Sequence, residues 1–240
     1  MDGYDLAYRR QLLSRNAVFG ALGPAEIDRV LALGRERRVD DGQVLFRKGE
    51  PGSSMMAVLR GRVRIGAYSE DGREVILNII EPGGVVGELA LLDGRERSAD
   101  AAAMGDGALL VIERRDFLPF LERNPKIALC LLEVLCERVR RTSAMVEDIV
   151  FLNLPGRLSR LLLKLAELHG KDAPGGGGRR IDLRLSQRDL GNLVAASRES
   201  VNKQLRAWQD EGLIAFERGA VTLLAPERLE ELAAAEAGGG

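Results

Sequence analysis

Histidine and cysteine are almost missing from these 240 residues: His169 stands alone, and Cys130 and Cys136 are the only thiols. An iron–sulfur centre needs about four cysteines, and a haem commonly takes a histidine, so neither group has a ready ligand set here. The two cysteines lie six apart on a predicted helix, on different faces, so they cannot pair within it, and a reduced cytoplasmic setting fits. Aromatic residues make up only 4%, which leaves the core to aliphatic side chains. No apolar run approaches the roughly 18 residues of a membrane span. The opening Met-Asp-Gly-Tyr-Asp has neither the basic region nor the apolar stretch of a signal peptide. No phosphate-binding P-loop, Ser/His/Asp set or metal-ligand cluster is apparent, so the expectation is no enzyme, no catalytic residue and no metal.

Net charge is −1, which excludes a chain that binds nucleic acid through overall basicity. The charge is uneven, however. From Arg157 to Arg206 basic residues outnumber acidic ones roughly two to one, whereas Asp210 to Glu236 is mainly acidic. A local basic patch suffices for phosphate contacts. The length allows one large domain or two modest ones.

Residues 5–18 and 24–33 have the pattern of short amphipathic helices, with Pro24 in a first helical turn. From Val39 to Arg114 short β-branched or aliphatic runs follow one another: Gln43–Phe46, Met55–Leu59, Arg62–Tyr68, Glu74–Ile80 and Ala108–Glu113. They are separated by Gly42, Gly49-Glu50-Pro51-Gly52, Gly61, Asp71-Gly72 and Pro82-Gly83-Gly84, the marks of a sandwich or small barrel. From Pro125 the pattern becomes a long helix. Leu131, Leu135, Arg138, Thr142, Met145, Ile149 and Leu152 recur at alternating spacings of four and three, a coiled-coil seam with a polar middle. A loop is expected at Asn153-Leu154-Pro155-Gly156, then a helix over Gly156–His169 and a flexible connection over Gly170–Gly178. The tail Ala233–Gly240 is of low complexity.

Residues 186–206 predict two short helices joined by a tight turn. Ser186 suits a helix N-cap with Asp189 three residues on; Leu190, Leu193 and Val194 supply an apolar face; Ala195-Ala196-Ser197 makes the turn, and Ser197 caps the second helix. In that helix Val201 and Leu205 face inward, so Arg198, Glu199, Asn202 and Lys203 face out. These types match base edges: Arg or Lys to guanine, Glu to cytosine, Asn to adenine or phosphate. Ser186, Gln187 and Ser200 complete the expected DNA contacts with Ser197. Downstream, Leu213–Phe216 and Val221–Leu224 flank Arg218-Gly219 as a hairpin wing. A solvated helix face would show some of the same polar residues, but not the turn, caps, core spacing and wing together.

Residues 82–99 place Gly87-Glu88-Leu89-Ala90-Leu91-Leu92 after a glycine corner, with Arg97-Ser98-Ala99 nearby. Free backbone N–H groups and Arg97 suit an anion, and Glu88 suits a sugar hydroxyl, which together describe a nucleotide monophosphate. A turn-stabilising salt bridge between Glu88 and Arg97 would use the same residues.

Residues 82–99 resemble the phosphate-binding cassette of cyclic-nucleotide-binding domains. With the helix-turn-helix downstream, the chain over about residues 20–230 resembles the CRP/FNR transcription regulators, in the cyclic-AMP receptor branch. The resemblance implies an α+β fold: a jelly-roll-like cyclic-nucleotide-binding β-roll with N-terminal helices over 1–124, a dimerisation helix over 125–152, a hinge over 153–156, a winged helix-turn-helix over 157–232 and a disordered tail over 233–240. It implies a ligand set of Gly87, Glu88, Leu89, Ala90, Arg97, Ser98, Ala99, Arg138, Thr142 and Ser143, with Thr142 from one subunit and Ser143 from the other. Arg198, Glu199 and Lys203 take the recognition positions; Lys203 stands where the family often has arginine, and a lysine point charge reads a base less strictly than a guanidinium fork. Polar Thr142 in the seam fits a purine lodged there, although polar seam residues also fix register.

The implied function is a cytoplasmic homodimer that binds cyclic AMP, or alternatively cyclic GMP, and then reads palindromic double-stranded DNA with TGTGA-like half-sites. RNA polymerase is the expected further partner, with loops Ser69–Arg73 and Lys171–Arg179 as exposed contacts. Two alternatives use the same sequence: a regulator of this fold that binds DNA without ligand, and a cyclic-nucleotide-binding protein acting on a protein partner.

Overall fold

The computed structural model describes residues 6–15, 18–173, 177–183, 185–217 and 220–234. The chain divides into two compact units, Met1–Arg140 and Arg141–Gly240.

The first unit opens with α1 (Leu6–Ser14) and α2 (Pro24–Leu33), the latter begun by Pro24 and by Glu26, whose carboxylate accepts the Gly23 N–H. There follow β1 (Gly34–Val39), β2 (Val44–Phe46), β3 (Ser54–Tyr68), β4 (Glu74–Ile80), β5 (Val85–Val86), the short α3 (Glu88–Asp93), β6 (Asp100–Glu113), α4 (Arg114–Arg123) and the long α5 (Pro125–Phe151). The sheet is antiparallel in the order β1-β6-β3-β4, with β2 added on β6 and β5 on β3.

Strand β3 organises this unit. Along Met55–Leu59 every residue is buried, because alternate side chains enter different cores. Met55, Ala57 and Leu59 pack with Phe19, Ile27, Phe117 and Ile127, whereas Met56 and Val58 pack with Phe46, Val63, Ile80 and Leu109 inside the roll. The two runs expected at Met55–Leu59 and Arg62–Tyr68 are one strand. Gly61 was a plausible separator, yet it is a bulge with φ +74°, and a Cβ there would come within 3.0 Å of the Asp106 carbonyl. Glycine alone lets the strand bend and keep its β6 partner on both sides. Likewise β6 begins at Asp100, eight residues before the run expected at Ala108. Strand β1 was not anticipated, since Gly-Arg-Glu-Arg-Arg-Val has no apolar alternation; it pairs with β6 through backbone bonds from Gly34 to Val39. Helix α4 was also unforeseen, and buries Phe117 and Phe120.

The second unit holds the end of α5, then α6 (Leu154–His169), β7 (Gly170–Asp172), β8 (Arg179–Ile181), α7 (Gln187–Leu193), α8 (Arg198–Asp210), β9 (Ile214–Glu217), β10 (Ala220–Leu223) and α9 (Pro226–Ala234). The loop expected at residues 153–156 shrinks, because Leu154, Pro155 and Gly156 form the first turn of α6. Proline is well tolerated there, where its missing N–H has no helical partner. Asn153 caps the turn by accepting the Gly156 N–H at 3.0 Å. The connection expected to be flexible at 170–178 begins as β7, paired with β8 in the sheet β7-β8-β10-β9. The β9–β10 hairpin provides the wing, while its turn at Arg218-Gly219 lies outside the described residues. Ala233 and Ala234, expected in the tail, belong to α9, and Ala233 is buried; 235–240 lie outside the described residues.

Trp208 is the largest side chain buried in this unit, at 2% exposure. Trp208→Ala is expected to destabilise it by about 3–5 kcal/mol, measured as a separate, earlier transition in denaturant unfolding.

Candidate nucleotide site and nucleic-acid interface

Strand β5 delivers the chain to Gly87, which takes the left-handed conformation at φ +78° and turns it into α3. Glu88 is thereby driven inward, to 1% exposure. Its Oε1 accepts from Nη1 of Arg138 on α5, and Arg138 Nη2 donates to the Val85 carbonyl at 2.6 Å. Glu88 Oε2 is buried with no hydrogen-bond partner.

Arg97 is also buried, at 6% exposure. Nη1 donates to the Gly87 carbonyl at 2.9 Å and Nη2 to Ser54 Oγ at 3.3 Å, while the guanidinium lies 4.3 Å over the Phe46 ring. Its Nε–H has no partner. Burial pulls the guanidinium pKa down, and the neighbouring Glu88, Glu50 and Glu113 carboxylates push it the other way. Arginine nevertheless stays charged. Among the described residues no carboxylate lies within ion-pair distance of it, and Glu88 pairs with Arg138 instead. The simple Glu88–Arg97 turn bridge is therefore not what the chain forms. A buried cation without an anion, beside a buried carboxylate oxygen without a donor, fits a ligand offering both a phosphate and a hydroxyl.

Gly87, Glu88, Ala90, Arg97 and Arg138 are thus brought together, with Ala99 buried close in sequence. Leu89 and Ser98 are solvent-exposed on the same segments. Thr142 and Ser143 are exposed on α5 within the second unit. Ser54, Phe46 and Gly52 belong with Arg97 and were missed. In the sequence Gly52 marks a turn, but a Cβ there would lie 2.3 Å from the Ala90 Cβ and 3.0 Å from Arg97 Nε. The signal was its neighbourhood: Glu50 and Gly49 exchange backbone bonds with Arg97 at 2.8 and 2.9 Å.

Burial along α5 divides the residues of the expected seam. Leu131 is buried among α1, α2, β3 and α4, Leu152 is buried in the second unit, and Leu135, Arg138 and Met145 are half-buried. Only Thr142 and Ile149 of that set are exposed. Part of that face packs on its own chain, fully at Leu131 and Leu152. The open stripe lies one residue over: Leu129, Leu132, Cys136, Val139, Ser143, Val146 and Val150, again spaced by three and four.

In the second unit, Ser186 and Asp189 cap α7 reciprocally: Ser186 Oγ accepts the Asp189 N–H at 3.1 Å, and Asp189 Oδ2 accepts the Ser186 N–H at 2.9 Å. The turn bends at Ala195, φ 52°, and Gly191 lets it close, since a Cβ there would be 2.7 Å from the Ala196 carbonyl. Ser197 Oγ caps α8 by accepting from Ser200 N at 3.1 Å. Val201, Leu205 and Trp208 anchor α8 in the core. Arg198, Glu199, Ser200 and Lys203 are exposed, Asn202 and Gln187 half-buried, and Ser186 and Ser197 exposed at the two caps. Hydrogen bonds from its own backbone N–H and from Ser197 hold the Glu199 carboxyl below its ordinary range, so it is an acceptor. Arg206, which the sequence pattern does not single out, is exposed three residues past Lys203 on the same face. Arg157 spans from α6 to both neighbouring helix ends: Nε donates to the Val194 carbonyl and Nη1 to the Leu152 carbonyl, each at 3.0 Å.

Residues 36–124 match the cyclic nucleotide-binding domain family and residues 156–232 the Crp-like helix-turn-helix domain family. A ligand-binding roll followed by a DNA-reading helix pair defines a sensor and regulator in one chain. The CRP-like cAMP-activated global transcriptional regulator of Mycobacterium tuberculosis is 33% identical over 222 residues, covering 91% of this chain and 97% of that protein. The cyclic AMP receptor protein of Thermus thermophilus is 32% identical over 216 residues, covering 90% and 96%. Among solved structures, the c-di-GMP responsive global regulator CLP of Xanthomonas campestris has a TM-score of 0.74 at 26% identity, covering 84% of this chain and 99% of that one. The chain belongs to the CRP/FNR family of transcription regulators, in the cyclic-AMP receptor branch. Its relatives are regulators and not enzymes. Among the described residues no group of three or more His, Cys, Asp or Glu is arranged to hold a metal, and no helix is long and apolar enough to cross a membrane.

Gly52→Ala tests the Arg97 seat. The added methyl displaces Arg97 or Ala90, and cyclic-nucleotide affinity is expected to fall about tenfold, some 1.4 kcal/mol, in calorimetric titration. Unchanged affinity would show that the close approach of Gly52 to Ala90 and Arg97 does not shape the site.

Proposed function

We propose that the protein is a homodimeric, sequence-specific transcription regulator whose DNA affinity is raised by cyclic AMP. The observation that carries this reading is the buried Arg97 guanidinium without a carboxylate partner, set beside Glu88 with Oε2 unpaired. Arg97 takes the cyclic phosphate as a charge-assisted pair. Glu88 accepts from the ribose hydroxyl while keeping Arg138. Thr142 and Ser143 meet the base, Thr142 from one protomer and Ser143 from the other. The exposed stripe from Leu129 to Val150 supports a second copy as the covering partner, and Ser143 lies on it. The names of the two curated relatives support cyclic AMP over cyclic GMP.

On the DNA side, Arg198, Glu199 and Lys203 enter the major groove and read a TGTGA-like half-site. Arg206 and the capped N-terminus of α8 sit over phosphates. Two such helices in a dimer read half-sites about 34 Å apart, one DNA turn. Nucleotide raises operator affinity only to the extent that it prefers the DNA-competent arrangement. The target DNA sets a cytoplasmic location, and RNA polymerase is the further partner.

Fluorescence anisotropy with a TGTGA-N6-TCACA duplex at fixed salt tests this, with no nucleotide, cyclic AMP, cyclic GMP or cyclic di-GMP. Tight binding is expected with cyclic AMP alone. Equal binding in every arm would leave a constitutive DNA binder; no salt-dependent binding in any arm would favour a protein partner. Arg198→Ala is expected to lose the operator preference while binding cyclic AMP normally, and Arg97→Ala to show the reverse defect.

A further inference from the structure

Arg114 stands at a place its own helix disfavours. It is the first residue of α4, followed by Arg115, and positive charge in a first turn opposes the helix dipole. The side chain turns away from α4. Nε donates to the Leu91 carbonyl at 2.7 Å, and Nη2 reaches the Leu92 carbonyl at 3.4 Å. Those carbonyls close the last turn of α3, where a cation is favoured and where a helix leaves acceptors unfilled. The remaining cap is local, from the Gly94 N–H to the Ala90 carbonyl at 3.0 Å.

Helix α3 has only six residues, too few to hold its shape without tertiary support. Yet it carries Glu88, and the Gly87 carbonyl just before it holds Arg97. Arg114 also donates its backbone N–H to the Ser53 carbonyl at 2.7 Å, and the next residue, Ser54, takes Arg97 Nη2. One residue therefore ties down both segments that hydrogen-bond Arg97, α3 and the chain at Ser53-Ser54. The same α4 buries Phe117 and Phe120 in the core that contains Leu91 of α3 and Ile127 of α5.

We propose that Arg114 is a positioning residue of the nucleotide site: it clamps the C-terminal end of α3 and so sets the places of Glu88 and Arg97. The inference rests on the reading of that site as a cyclic-nucleotide site. Lysine keeps the charge but offers one ammonium where the guanidinium fork spans two carbonyls.

The test compares wild-type protein, Arg114→Ala and Arg114→Lys in the full chain, with cyclic AMP and its two phosphorothioate diastereomers as probes. Each diastereomer replaces a different exocyclic phosphate oxygen, so their affinity ratio reports how the phosphate is gripped. A variant that merely loosens the fold weakens both by the same factor. Arg114→Ala is expected to bind cyclic AMP about tenfold more weakly, with the diastereomer ratio falling toward one, and Arg114→Lys to lie between. Wild-type affinity and ratio in both variants would overturn the assignment, as would an equal loss for both diastereomers. If Arg114→Ala fails to fold, Arg114→Lys decides on the same ratio. Failure of the wild-type protein to bind any of the three probes would instead overturn the reading of the site.

Discussion

The buried carboxylate of Glu88 is the constraint around which the sensing unit is built. Removing a carboxylate from water costs on the order of several kcal/mol, and a matched partner must offset it. Arg138 does so from α5 while its second nitrogen closes the Val85 carbonyl. The cassette, the start of β5 and the middle of α5 are therefore bound into one electrostatic unit. Only one oxygen of the carboxylate is satisfied in this way, so the other keeps capacity for a donor.

The Arg97 seat shows the same economy. Its aliphatic stem and planar head are held by Phe46, Ser54 and the Gly87 carbonyl, groups that fix orientation without cancelling charge. A carboxylate in their place would have made a self-sufficient ion pair. The nearby Glu88, Glu50 and Glu113 carboxylates bear on the guanidinium electrostatically, yet among the described residues none comes within ion-pair distance of it.

Legibility in the sequence followed the range of the interactions. The helix pair over 186–206 was readable because its caps, turn and core spacing are all local; Ser186, Asp189, Ser197 and Leu205 act within a few residues of themselves. Glu88 and Arg97 were readable from a short motif. The burial of Leu131 in its own roll was not, since it is decided by residues a hundred positions away, such as Ile27 and Val30. Strand β1 was hidden because its pairing with β6 uses backbone groups that side-chain pattern does not record. Gly61 resembled a break for a related reason: glycine marks a turn or a bulge equally well, and the Asp106–Gly107 backbone across from it decides between them. Ser54 and Gly52 took their roles only once the loop at 49–52 lay along Arg97.

Strand β1 also has a colloidal consequence. It stands at one end of the main sheet with Arg35 and Arg38 exposed. With a net charge of −1, the whole molecule generates little self-repulsion. Charge placed on the end strand itself is one means by which such a sheet resists edge-to-edge association of two rolls. The arginines that concealed β1 as a strand are the same groups that keep it from acquiring an unwanted neighbour.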